Sequence, residues 1–170
     1  MKKRFLIPLL LSAMISGANA EVEPENIIHL TTVHDKKVDM KITETGFTFE
    51  QFKGKAVLLD FFGPHCPPCI AEMPHLIDMQ ERNKDKLVIL GVQVQMQMSP
   101  DELKAFVKKN GINYPIINLD HAMELVQFIQ TNTNWGGQIP FMLLFNKEGR
   151  LVQTYLGITD VSKIESDMKK

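Results

Sequence analysis

A nearly unbroken apolar run, Ala56 to Phe62, ends four residues before the only two cysteines of the chain, Cys66 and Cys69. The run has the length and character of a strand buried on both faces. The residues after Cys69 take up helical spacing. A Cys-x-x-Cys at a strand-to-helix junction reads as a redox dithiol. The physical reason is local. With Cys66 as the N-cap, Pro67 and Pro68 fall in the first turn, where a missing N–H leaves nothing unpaired that was paired before. The Cys66 sulfur then faces free amide groups, that of Cys69 among them, at the positive end of the helix dipole. Such a place favours the thiolate, which is the attacking species. Pro68 disfavours a helical Pro67, so an irregular first turn is expected.

The rest of the chain supplies alternating strands and helices. Pro67 to Glu81 reads as a helix kinked at Pro74, which cannot donate to the Ile70 carbonyl. Leu87 to Val94 is a second buried strand. Ser99-Pro100-Asp101-Glu102 is a capping box with proline at the first helical position, and Leu103, Phe106 and Val107 are the apolar face that follows. Tyr114 to Ile117 reads as a short strand, and Ala122, Leu125, Val126 and Ile129 as a further helix face. Phe141 to Phe145 and Leu151 to Tyr155 flank Asn146-Lys147-Glu148-Gly149, a hairpin, and Asp160 to Lys170 is helical. Near the start, Ile27 to Val33 and Val38 to Ile42 surround the turn-like Asp35-Lys36-Lys37, and Phe47 to Phe52 reads as a turn of helix. The expectation is an α/β fold: a sandwich with a central mixed β-sheet flanked by helices, plus an N-terminal β extension.

Residues 1–20 read as a secretory signal. Lys2, Lys3 and Arg4 precede a short apolar stretch, Phe5 to Ile15, and Ala18-Asn19-Ala20 fits a cleavage site. The stretch is short for a membrane span, so cleavage after Ala20 is expected, with an uncleaved tether as the alternative. Residues 21–46 then form the extension and 47–170 one domain. The net charge of −1 and the absence of a basic cluster exclude nucleic acid as a partner. Export to an oxidising compartment permits a disulfide. A bridge closing two intervening residues constrains little of the unfolded chain, so a stabilising staple does not explain the pair.

Three stretches together resemble the thioredoxin superfamily, and within it the exported TlpA/ResA-like thiol–disulfide oxidoreductases. They are Val57-Leu58-Leu59-Asp60-Phe61-Phe62 leading into Cys66-Pro67-Pro68-Cys69; Pro74, five residues after the second cysteine; and Gln138-Ile139-Pro140-Phe141. The resemblance covers roughly residues 47 to 170. It implies that Cys66 is the exposed nucleophile and Cys69 the buried resolving thiol. It implies a cis Ile139–Pro140 bond, a minority geometry for X-Pro, in a loop that pairs with substrate beside His65, Pro67 and Pro68. Gly157 resembles the family's glycine after the last strand. The resemblance further implies protein substrates with cysteine pairs, such as apocytochrome c or metallochaperones, a membrane thiol–disulfide electron donor, a periplasmic location and no cofactor. His65 departs from the family's usual tryptophan, and Phe62 replaces an earlier one.

Alternatives stand beside these readings. Asp60 is either the acid that takes the resolving thiol's proton, as its family analogue does, or a strand-end carboxylate bonded to backbone. His65, when protonated, would stabilise the Cys66 thiolate; otherwise it is a surface ring over the site. Glu72 reads as a solvated helix face. A copper-binding or metallochaperone module would use the same dithiol with His65, His75, Met73, Met96 or Met98, although Met96 and Met98 continue the alternation of Val92 and Val94 and suit packing. A peroxidase of the related kind needs a threonine where Gly63 stands. An oxidant of the DsbA type would use the same residues in the opposite direction.

Overall fold

The structure, a computed structural model, describes residues 26–170. The leader expected over residues 1–20 lies outside the described residues. Strand β4 (Ala56–Phe62) is buried along its whole length and sits at the centre of a five-stranded sheet. It runs parallel to β5 (Leu87–Gln93) on one side and antiparallel to β7 (Phe141–Phe145) on the other. Beyond them lie the two-residue β6 (Ile116–Ile117) and β8 (Leu151–Leu156). The strand order is β6-β5-β4-β7-β8.

Alternate β4 side chains feed two different cores, as the period of a strand requires. Ala56, Leu58 and Phe62 join a core with Met73, Leu76 and Met79 of α1 (Pro67–Asn83), Leu103 and Val107 of α2 (Pro100–Asn110), and Ile164 of α4 (Val161–Asp167). Val57, Leu59 and Phe61 face the other way. There they meet Leu125 and Ile129 of α3 (Met123–Asn132) and a second, three-stranded antiparallel sheet. That sheet is β1 (Ile27–Thr31), β2 (Lys37–Thr43) and β3 (Gly46–Phe49). Ile28, Leu30, Val38 and Met40 point inward from it.

The N-terminal hairpin forms as its alternation predicts, but Phe47 to Phe49 extend it as β3. Only Glu50–Phe52 makes a short 3-10 turn. Both Phe47 and Phe49 are buried, and period-two burial places them on the inner face, which a helical turn could not do for both. Phe47 donates its N–H to Gly149 and Leu151 donates to Thr45, so the two hairpins are joined by main chain. Gly149 has φ +81°, and a Cβ there would strike the Phe47 carbonyl, which restricts the position to glycine.

The helices follow their caps. Ser99 and Glu102 make the reciprocal capping box of α2. Helix α1 continues through Pro74 to Asn83, where the arrangement tolerates the lost hydrogen bond. Helix α4 is held by Asp167, which accepts from the Tyr155 hydroxyl at 2.8 Å and from Lys163 at 3.0 Å. These donors, with Lys170 first among them, hold its carboxyl below the ordinary aspartate range. Its stabilising effect is therefore present above the unfolded value near 3.8 and is lost as pH falls through the lower folded value. Asp167→Asn is expected to lower the thermal midpoint at neutral pH while changing it little in strong acid; paired melts at the two pH values check this.

Candidate active site

The dithiol stands where β4 hands over to α1. Cys66 is the N-cap of α1, with extended backbone, and its sulfur accepts the Cys69 N–H at 3.3 Å. Pro67 and Pro68 follow as the first residues of a regular helix, with the Ile70 N–H donating to the Cys66 carbonyl at 3.0 Å, so the irregular first turn expected from Pro68 does not occur. The two cysteines form a disulfide; Cys69 is buried as expected, but Cys66, expected to be exposed, is only 5 % exposed in this oxidised form. His65 and Pro67 are exposed beside them, and Pro68 is half-buried.

Across the sheet end, the Ile139–Pro140 peptide bond is cis. Pro140 is buried and Ile139 is half-buried. Gly157, with φ +83°, donates its N–H to the Pro140 carbonyl at 2.9 Å and so fixes the loop to the end of β8. Trp135 stacks on Phe141 at 4.9 Å and donates its indole N–H to the Gln138 carbonyl at 2.6 Å. A cleft of about 280 Å³ opens here, lined by Trp135, Gln138, Phe141, Thr154 and Leu156. Leu156, which lines it, is an exposed apolar side chain, as is Ile158 two residues further on. The larger cleft of about 510 Å³, by Asn83, Lys86 and Lys147, lies at the far end of α1 from the cysteines and has no part in this chemistry.

Beneath the dithiol lie two buried carboxyl groups. Asp60 has the parity of Leu58 and Phe62 along β4, so it faces the layer that contains Cys66 and Cys69. It is 3 % exposed, and burial, with the neighbouring Glu72 charge second, pushes its pKa up to about 8. Its strand-end alternative, a carboxylate bonded to backbone, does not fit: it sits opposite Gly91 and Met142 in mid-ladder, and its pKa moves up rather than down.

Glu72 corrects the expectation from sequence. It is 2 % exposed, not solvated. It belongs to the inward stripe of α1 with Cys69, Met73 and Leu76. One carboxyl oxygen accepts the Thr159 N–H at 2.8 Å; the other, Oε2, is buried with no partner among the described residues. Burial raises its pKa, with the Thr159 N–H and His75 opposing. Asp60, with its pKa near 8, keeps at neutral pH a proton that a free carboxylate would have lost, and burial shifts Glu72 in the same direction. The spacing of Glu72, three after Cys69 and four before Leu76, places it on the inward stripe, a signal for burial that its charged side chain masks.

Other assignments resolve simply. Met73 is buried and Met98 packs on the core of α1 and α2. Met96 is 41 % exposed, against the expected packing, because β5 ends at Gln93 and the alternation stops there. Among the described residues, no three His, Cys, Asp or Glu side chains converge to hold a metal ion. Gly63 has no room for a larger residue: a Cβ would collide with the Gln95 side chain.

A family model described as the AhpC/TSA family matches residues 31–154. A thiol–disulfide oxidoreductase ResA of Bacillus thuringiensis is 28 % identical over 145 residues, covering 83 % of this chain and 72 % of the relative. One of Halalkalibacterium halodurans is 24 % identical and covers 99 % and 95 %. Among solved structures, the exposed lipoprotein thioredoxin of Streptococcus pneumoniae superposes with a TM-score of 0.65 at 22 % identity, over 84 % of this chain and 98 % of that one. StoA of Bacillus subtilis superposes with 0.62 at 20 % identity, over 83 % and 95 %. These likenesses support the thioredoxin-like fold expected from the sequence.

Proposed function

Because the chain belongs to the AhpC/TSA family and is similar to thiol–disulfide oxidoreductases along most of its length, we propose that it works as an exported reductase of protein disulfides. It is a thiol–disulfide oxidoreductase. The observation that carries the reading is the capping geometry: Cys66 Sγ at a helix N-terminus, bonded to the Cys69 N–H, above buried Asp60 and Glu72.

The Cys66 thiolate attacks one sulfur of a client disulfide; the client S–S bond breaks, a Cys66–client bond forms, and the released client thiolate takes a proton. Cys69 gives its proton to Asp60 in its ionised form, the minor one at neutral pH because its pKa is near 8, then attacks Cys66 Sγ. The client's second thiolate leaves, and the Cys66–Cys69 disulfide of the structure remains. Two electrons have passed to the client. A membrane thiol–disulfide donor returns them. The half-buried Ile139 at the Pro140 loop, the exposed His65 and Pro67, and the half-buried Pro68 are the surface against which the client chain docks. The clients are extracytoplasmic cysteine pairs, with apocytochrome c and metallochaperone pairs as the chemical type.

Insulin reduction with dithiothreitol, together with the equilibrium potential of the pair against glutathione, tests this. A potential near the thioredoxin end, about −270 mV, with insulin reduction, supports a reductase; about −120 mV makes the protein an oxidant. Stoichiometric Cu(I) uptake by the reduced protein with no insulin reduction replaces the reading with a metal-binding module.

A further inference from the structure

The turn that presents Cys66 is poor in hydrogen-bond donors. Pro64, Pro67 and Pro68 have no N–H. The four remaining amides from 64 to 70 are all spoken for. Cys66 donates to the Gly63 carbonyl at 3.3 Å and Ile70 to the Cys66 carbonyl at 3.0 Å. Cys69 donates to Cys66 Sγ. The His65 N–H alone leaves the turn, and it goes to Gln95 Oε1 at 2.8 Å. The same Gln95 side chain lies against Gly63, where any Cβ would displace it. One glutamine thus touches both ends of the segment Gly63–His65 that precedes the attacking sulfur.

Gln95 belongs to a loop with no regular structure, Val94 to Ser99, yet the loop is anchored from inside. Gln93 is 0 % exposed and uses its whole amide. Its Oε1 accepts from Gln95 N at 2.7 Å and Met96 N at 3.2 Å. Its Nε2 donates to the Met96 carbonyl at 2.6 Å and to Asn118 Oδ1 at 3.2 Å. Asn118 in turn donates to the Met98 carbonyl at 2.6 Å and accepts from Leu119 N at 3.1 Å. A buried and fully satisfied polar network of this kind fixes a single arrangement, because each broken member leaves an unpaired group. Here what it fixes is an exposed loop, and what the loop delivers is one acceptor to the turn before Cys66.

We propose that Gln95 is a positioning residue for the dithiol: by accepting the His65 N–H and packing on Gly63 it sets the turn that aims Cys66 Sγ, with Gln93 and Asn118 holding the loop from which it reaches. The inference rests on the thiol–disulfide exchange reading above. The in-line approach of three sulfurs depends on where Sγ points, and small misplacements of reacting atoms carry large rate penalties.

The test compares the full chain with Gln95→Leu, which keeps bulk but removes the acceptor, and Gln95→Glu, which keeps an oxygen at the same reach. Single-turnover oxidation of the reduced protein is followed with oxidised glutathione and with insulin, beside thermal melts. Gln95→Leu is expected to slow both reactions by roughly tenfold or more with little change in melting, and Gln95→Glu to recover most of the rate, its added charge being exposed and screened. Gly63→Ala, which must push the glutamine aside, is expected to match Gln95→Leu, and the double variant to be no slower than the slower single one. Unchanged rates overturn the proposal. So does slowing with insulin alone, which would make Gln95 a docking contact, or a lowered melting point with normal rates, which would make it structural. Wild-type inactivity toward insulin is a separate result and defeats the exchange reading itself.

Discussion

Replacing Cys69 by serine is expected to leave the protein covalently joined to its client through Cys66. The first exchange needs only the Cys66 thiolate, and the N-capping position that favours it is set by backbone: extended Cys66, two prolines and the Cys69 N–H. Serine keeps that N–H. The second exchange needs a thiolate at position 69, and serine supplies none, so the mixed disulfide persists. Cys66→Ser removes the attacking sulfur, and turnover is expected to vanish without any adduct. The pair is read on non-reducing gels and by mass after mixing with extracytoplasmic extract. Adducts formed by Cys66→Ser rather than Cys69→Ser would reverse the assignment of the two thiols; none with either would remove the exchange mechanism.

The second large effect concerns stability. Asp60 ionises near 3.8 when unfolded and near 8 when folded, because burial and then the Glu72 charge oppose its ionisation. Between those values the unfolded chain has released a proton that the folded chain keeps. The Asp60 contribution to stability therefore falls as pH rises through this window, by at most roughly 1.4 kcal/mol per unit, and is flat on either side. Asp60→Asn is expected to flatten the slope and to stabilise the protein by several kcal/mol at neutral pH, with little gain near pH 4. The same change withdraws a proton acceptor from Cys69, so the mixed disulfide should live longer. Denaturant midpoints across the window and the lifetime of a glutathione adduct measure the two. An Asn variant with unchanged midpoints at every pH would remove the buried carboxyl from the account.

The fold was legible where period and punctuation agreed. Ala56 to Phe62, Leu87 to Gln93 and the Ser99–Glu102 cap announce themselves by burial pattern and side-chain chemistry. So does Cys66, because two prolines and a following helical stripe leave few backbone solutions. What escaped depended on partners distant in sequence. Glu72 looked solvated because its amide partner, Thr159, lies 87 residues away. Phe47 and Phe49 looked like part of a helical turn because the strand they form is completed by β2 and by the Gly149 hairpin tip. Met96 looked like a packing residue because nothing local says that Gln93 turns inward and ends its strand. Each miss is a tertiary contact overruling a local pattern.

The three N-terminal strands have a consequence for how far the chain can be shortened. Their inner residues Ile28, Leu30, Val38 and Met40 share one core with Leu59, Phe61, Leu143 and Phe145. A version begun at residue 47 would retain both cysteines and the entire layer beneath them, yet it would uncover the back of the central sheet. It would also strip β3 of β2, its neighbour in the ladder among the described residues. A bare apolar sheet face next to an open strand is a template for self-association. The extension thus acts as a built-in shield: the catalytic half carries the chemistry, and the first strands keep its unused face from sticking to other copies.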